Sequence, residues 1–114
     1  MKVKTLFFSL LILVGWLLSC AEQASQGEML YQAYCGNCHM EDGKGLRELI
    51  PPLAGADYWV DNQDKISCII RYGLDGAIVV NGTEYNQPMA GIKSLTEAET
   101  ANIINFINQQ WFPE

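Results

Sequence analysis

Behind Lys2 and Lys4, residues 5–18 are almost unbroken apolar sequence. A charged start followed by an apolar run has the form of an export signal. The run is 14 residues long, short of the about 20 that an apolar helix needs to cross a bilayer. Further on, apolar positions recur in short periodic segments broken by Gly, Pro and Asn. Ser25-Gln26-Gly27-Glu28 has the form of a capping box and predicts a helix with Leu30 and Tyr34 on one face and Tyr31 and Cys35 beside them. Glu41-Asp42-Gly43-Lys44-Gly45 reads as a polar surface loop with no chemistry of its own. Pro51-Pro52-Leu53-Ala54-Gly55 must run extended, because a residue before proline is pushed out of the α region. A second helix is predicted from Asp61 or Asn62, with Ile66, Ile69 and Ile70 as its apolar stripe, Cys68 off that stripe and Gly73 as its end. Residues 77–85 set β-branched positions around Asn81-Gly82, a strong hairpin signal whose alternative is an irregular loop. The last helix opens at a second capping box, Thr96-Glu97-Ala98-Glu99. It shows Ile103, Ile104, Phe106, Ile107 and Trp111 on one face, with Asn102, Asn105 and Gln109 opposite. The expected class is all-α, three or more helices with a small β-hairpin before Met89.

A chain of 114 residues holds one domain at most. Leu17-Leu18-Ser19-Cys20 resembles the lipobox of bacterial lipoproteins, in which the chain is cut before a cysteine that is then acylated. This divides the chain into a signal over residues 1–19, a small polar tether over residues 20–25 and a domain over residues 26–114. An ordinary secretory signal with an incidental Cys20, or an uncleaved anchor, is the competing reading. Removing residues 1–19 takes away Lys2 and Lys4 and no acid, which leaves 5 basic against 13 acidic side chains and a net charge of −8. Such a surface excludes nucleic-acid binding, which needs the opposite sign. Anionic lipid would repel it too, so membrane residence on the extracytoplasmic side would come from the acyl group. The acidity serves solubility alone, or it complements a basic patch on a partner.

Cys35-Gly36-Asn37-Cys38-His39 carries the chemistry, because it has the Cys-x-x-Cys-His spacing of covalent c-type haem attachment. Two thiols about one helical turn apart can each add to one vinyl group of the same porphyrin. A histidine directly after the second thiol then lies beneath the iron. A thioredoxin-like pair would share Cys-x-x-Cys but belongs beside a βαβ pattern, and no such alternation is visible. A structural zinc site would need four ligands, and the chain offers Cys35, Cys38, Cys68 and its single histidine, with Cys38 and His39 adjacent. Export supports the haem reading, since attachment of this type takes place outside the bacterial inner membrane.

With no second histidine, a sixth iron ligand must be sought among the methionines. Met1 leaves with the signal, Met29 lies about one turn ahead of the cysteines and Met40 adjoins His39. Met89, in Tyr85-Asn86-Gln87-Pro88-Met89-Ala90-Gly91, is on a loop that can fold over the ring. The alternative is a methionine that fills a gap in the core.

Taken together, residues 26–112 resemble the class I monohaem c-type cytochromes, of the lipoprotein kind found in bacterial respiratory chains. The resemblance implies that Gly27 and Tyr31 pack against Ile103 and Phe106 of the last helix. It implies that Pro51-Pro52-Leu53 forms part of the haem environment, with the Pro51 carbonyl accepting the Nδ1 proton of His39. His39 and Met89 would be the axial ligands, and Cys35 and Cys38 the covalent attachments of one haem c. Two departures stand out. Many relatives have proline after the axial methionine, whereas here Pro88 precedes it and Ala90 follows. Cys68 has no obvious partner and is read as a structural thiol, with an intermolecular disulfide or a redox role as the alternatives.

The function expected is single-electron transfer in a respiratory chain, without enzymatic activity of its own. A quinol-oxidising complex or dehydrogenase would be the donor and a terminal oxidase or reductase the acceptor. A haem subunit of a membrane dehydrogenase or oxidase complex, or a ligand-binding or peroxide-reducing haem protein with a labile Met89, are the alternative functions.

Overall fold

The computed structural model describes residues 22–113. Five helices follow in order: α1 Glu22–Tyr34, α2 Gly36–His39, α3 Asp57–Asp61, α4 Gln63–Tyr72 and α5 Glu97–Trp111. Between α4 and α5 lie four short strands: β1 Gly73–Leu74, β2 Ile78–Val80, β3 Thr83–Tyr85 and β4 Met89–Ala90. They form two antiparallel ladders, β2 with β3 and β1 with β4.

Helix α1 begins at Glu22, so Ser25 lies inside it and is not its cap. Glu22, Gln23, Ala24 and Gln26 all favour helix, and they carry the helix back through residues expected in the tether. Its buried stripe also differs from the predicted one. Gly27, Tyr31 and Cys35 recur every four residues and are buried, whereas Tyr34 is 45% exposed. That stripe crosses α5 at close range. A Cβ on Gly27 would stand 2.5 Å from the Asn102 carbonyl oxygen and 2.9 Å from the Phe106 Cβ, so only a glycine lets the two backbones meet here. Tyr31, fully buried, packs its ring 5.4 Å from Phe106 and 5.3 Å from Trp111.

Helix α5 starts as its sequence predicts. The Thr96 Oγ1 accepts from the Glu99 amide at 3.2 Å, and the Glu99 carboxylate accepts from the Thr96 amide at 2.9 Å. Its buried residues are Thr100, Ile103 and Ile107, while Ile104, Phe106 and Trp111 pack partly buried against the core. Asn102 and Asn108 are half-buried and bonded, to Gln26 at 3.3 Å and to the Trp59 indole at 2.8 Å.

Helix α4 buries Ile66 and Ile70 and ends on Gly73, whose φ of +87° suits glycine. Helix α3 has no counterpart in the sequence reading, since five residues are too few for a 3.6-residue period to show. It buries Trp59 and is fastened to the hairpin. The Asp57 amide donates to Asn81 Oδ1 at 3.0 Å, and the Asn81 amide donates to Asp57 Oδ1 at 2.7 Å. The hairpin turn at Asn81-Gly82 has positive φ at both residues, 50° and 78°, which is the two-residue turn that this dipeptide favours.

The Gly27 crossing yields a direct test. Gly27→Val would force the α1 and α5 backbones apart and should destabilise the domain by about 1–3 kcal/mol, read as a lowered urea midpoint at unchanged slope. An unchanged midpoint would mean that the crossing relaxes freely.

Candidate functional site

The Cys35-to-His39 segment sits where α1 passes into α2. The Cys35 amide still donates to the Tyr31 carbonyl at 2.7 Å, and the His39 amide donates to the Cys35 carbonyl at 2.9 Å. The helical path therefore continues through the motif, with a slight break at Cys35. Cys35 and His39 are buried and Cys38 is exposed. After His39 the chain turns sharply, with Met40 at a φ of 66°, and the Tyr31 hydroxyl holds the turn by donating to the Met40 carbonyl at 2.7 Å.

The glycine-rich loop that follows was expected to be plain surface, and the structure corrects this. Glu41, Asp42 and Lys44 are exposed, but Gly43 is buried. Its carbonyl accepts from the amides of Leu53 at 2.7 Å and Ala54 at 3.0 Å. At a φ of +68°, a Cβ on Gly43 would stand 2.7 Å from the Trp111 ring. The loop is thus a bracket that holds the non-helical Pro51–Gly55 stretch against the motif. The result is a contact of 3.0 Å between His39 Nδ1 and the Pro51 carbonyl oxygen. A carbonyl can only accept, so Nδ1 carries the proton and Nε2 keeps a lone pair.

The chemistry of these groups follows from their burial. Burial holds the His39 ring below the usual imidazole range, against the opposing pull of the Pro51 hydrogen bond, so the ring is neutral at neutral pH. Burial, and then the neighbouring Cys38, push the Cys35 thiol up to about 11. A neutral imidazole with a fixed tautomer is the form that binds a metal.

One cavity of ≈ 430 Å³ gathers the sequence-predicted residues: Cys35, Cys38, His39, Pro51, Leu53 and Met89 all line it. Its remaining walls are mainly aliphatic and aromatic, among them Ile66, Ile70, Leu74, Val80, Tyr85 and Ile107. An apolar chamber with two thiols, a neutral imidazole and a thioether suits a haem, whose flat apolar body needs shelter and whose iron takes nitrogen and sulfur ligands. Met29 is 63% exposed on α1, and neither it nor Met40 lines the cavity. Met89 alone among the described methionines does so. It lies in β4, paired with Leu74 of β1, while Ala90 pairs with Gly73. Proline at position 90 would bring no N–H to this ladder, so the departure noted at Ala90 coincides with strand structure there.

The zinc reading fails on Cys68, which is exposed on α4 and does not line the cavity. The same exposure removes the structural role expected of this thiol, since it packs into no part of the core. Cys20, the expected site of lipid attachment, lies outside the described residues. Sequence reasoning missed Trp59, Tyr58 and Ala56, which all line the cavity. Their one signal was an aromatic pair between two short polar stretches, too brief to carry a period.

Comparison with known proteins agrees with this geometry. The family model for cytochrome c matches residues 24–111. A cytochrome c-552 of Thermus thermophilus is 31% identical over 113 residues, covering 96% of this chain and 73% of that protein. A second cytochrome c-552 from Thermus thermophilus is 32% identical over 91 residues, covering 76% of this chain and 69% of that protein. The cytochrome c subunit of a quinone alcohol dehydrogenase from Gluconobacter oxydans is 31% identical over 98 residues, which is 83% of this chain but only 20% of that subunit. The motif, the chamber around it and the match over most of the chain lead to one conclusion: this protein belongs to the cytochrome c family, carries covalently attached haem c and transfers electrons.

Proposed function

We propose that Cys35 and Cys38 form the two thioethers to a single haem c, that His39 and Met89 are its axial ligands, and that the domain is a single-electron carrier of a respiratory chain. The observation that supports this most is the convergence of Cys35, Cys38, His39 and Met89 on one apolar cavity. Each thiol would add its S–H across a vinyl double bond, a reaction with no leaving group and no net oxidation. The bound haem supplies an iron that takes up and releases one electron. The chain's own residues then do three things. The Pro51 carbonyl keeps the proton on His39 Nδ1 and so leaves Nε2 for the metal. Met89 would fill the remaining axial position and deny it to substrate. The apolar walls would keep water from the iron and, with Met89 supplying a neutral sulfur, would favour the reduced state over what an anionic ligand would give.

Cys20 would carry the lipid that keeps the domain at the extracytoplasmic face of a membrane, since the acidic surface itself has no attraction for anionic lipid. Leu53 contributes to the haem environment. A quinol-oxidising complex or dehydrogenase would reduce the domain, and a terminal oxidase or reductase would oxidise it. The likeness to a cytochrome c subunit of a quinone alcohol dehydrogenase supports a second reading, in which the domain is a fixed subunit of such a complex. The two differ in one observable: a subunit copurifies with a catalytic chain in constant ratio, and a free carrier does not.

Three outcomes test these assignments. The mature protein should be heavier than its polypeptide by one haem that survives acid extraction, and Cys35→Ser should lose one of the two thioethers; haem that washes out of the wild type would refute covalent attachment. Met89→Ala should abolish the long-wavelength sulfur-to-iron band of the ferric form, open the ferrous form to carbon monoxide and lower the potential, with the haem still attached. A wild type that takes up carbon monoxide as readily as this variant would favour a ligand-binding haem protein. Cys20→Ser should release the domain from the membrane fraction, or leave it uncleaved, without loss of haem; wild-type protein recovered unacylated in the soluble fraction would refute the anchor.

A further inference from the structure

We propose that Gly73 and Gly91 are positioning residues for Met89, holding its loop in register against the end of α4. This rests on the reading of Met89 as an axial ligand. The loop is attached to the rest of the domain by very little. Strands β1 and β4 have two residues each and pair Gly73 with Ala90 and Leu74 with Met89. One further bond runs from the Ile92 amide to the Ile70 carbonyl at 2.9 Å, in the last turn of α4. Ile70, Leu74, Met89 and Ile92 all line the cavity, so this seam forms part of its wall.

The seam closes only because two residues lack a Cβ. On Gly73 a Cβ would collide with the Met89 carbonyl oxygen and stand 2.8 Å from the Gly91 nitrogen. On Gly91 it would collide with the Tyr72 carbonyl carbon, 2.6 Å from the Gly73 nitrogen and 2.7 Å from the Arg71 oxygen. Non-bonded carbon contacts are favourable near 3.5–4.0 Å, and every atom met here is backbone, which cannot swing aside as a side chain can. The two chains would have to part by about an ångström, and Met89, two residues from Gly91, would move with its strand. The His39 side shares none of these contacts, since it is held by Gly43, Gly45 and Pro51. A Cβ at position 91 should therefore disturb one axial ligand and spare the other.

The test uses the full chain with its haem attached, comparing wild type, Met89→Ala, Gly91→Ala and Gly55→Ala. Gly55 is a control for backbone strain alone, with a φ of +67° and nothing within 4 Å of an added Cβ. Gly91→Ala should weaken or lose the ferric sulfur-to-iron band and speed ferrous carbon monoxide uptake towards the Met89→Ala rate, while Gly55→Ala keeps the wild-type band. Retention of the full band and the slow uptake in Gly91→Ala would overturn the inference. A wild type with no such band would instead overturn the ligand reading itself. A measurement on the wild type covers the case in which Gly91→Ala does not fold: on titration with urea, loss of the band should coincide with loss of hydrogen-exchange protection at the Ile92 amide. An Ile92 amide still protected after the band has gone would overturn the positioning role.

Discussion

The absence of a side chain at position 27 lets α1 and α5 approach until the Asn102 carbonyl oxygen and the Phe106 Cβ lie 2.5 and 2.9 Å from where a Cβ would have been. Much of the site depends on that approach. It seats Tyr31 between Phe106 and Trp111, fully buried, with its hydroxyl free to reach only what lies at the helix end. Burial pushes the Tyr31 phenol well above its ordinary range, so it remains a donor. What it meets is the Met40 carbonyl, and this bond fixes the direction in which the chain leaves His39. The turn brings Gly43 beneath Trp111, the Gly43 carbonyl gathers Leu53 and Ala54, and the Pro51 carbonyl arrives at His39 Nδ1. A helix crossing is thus transmitted, through hydrogen bonds to backbone carbonyls, into the tautomer of the His39 imidazole.

The two halves of the cavity are held by different kinds of contact. On the His39 side the partners are near in sequence: Gly45 to His39, Leu53 to Gly43, and His39 to Pro51, twelve residues apart. On the Met89 side the partners belong to separate elements, and the ladder between them has two residues a strand. Few backbone bonds hold that loop to α4. The absence of a Cβ at Gly73 and Gly91 is what lets this ladder form.

Electron transfer asks little chemistry of the protein itself. The titratable groups that line the cavity are tyrosines, the two motif thiols and one neutral imidazole. Charge is placed on the outside: among the described residues, no Asp, Glu, Lys or Arg lines the cavity. Trp59 illustrates the division of labour. It is buried against the cavity, yet its one polar atom is satisfied by Asn108 of α5, so it ties α3 to the last helix and exposes no donor to the chamber.

Several parts of this structure were legible in the order of the residues, for a common physical reason. The Thr96 capping box, the Asn81-Gly82 turn, the Gly73 stop and the Cys35-to-His39 spacing are short-range features, in which the partners that satisfy each other lie within five residues. Met89 was singled out because Met1 was expected to leave with the signal and Met29 and Met40 stand too close to the motif. Features that join distant elements were not legible. The burial of Gly43 depends on Trp111, the helix at Asp57–Asp61 depends on Asn81, and the ladder at Met89 depends on Gly73 and Gly91. The start of α1 was misplaced for a related reason, since a capping pattern at Ser25 is outvoted when the residues before it also favour helix. Local propensity therefore determined the elements and the motif, and the close approach of backbones, which no period or spacing records, decided how they enclose one cavity.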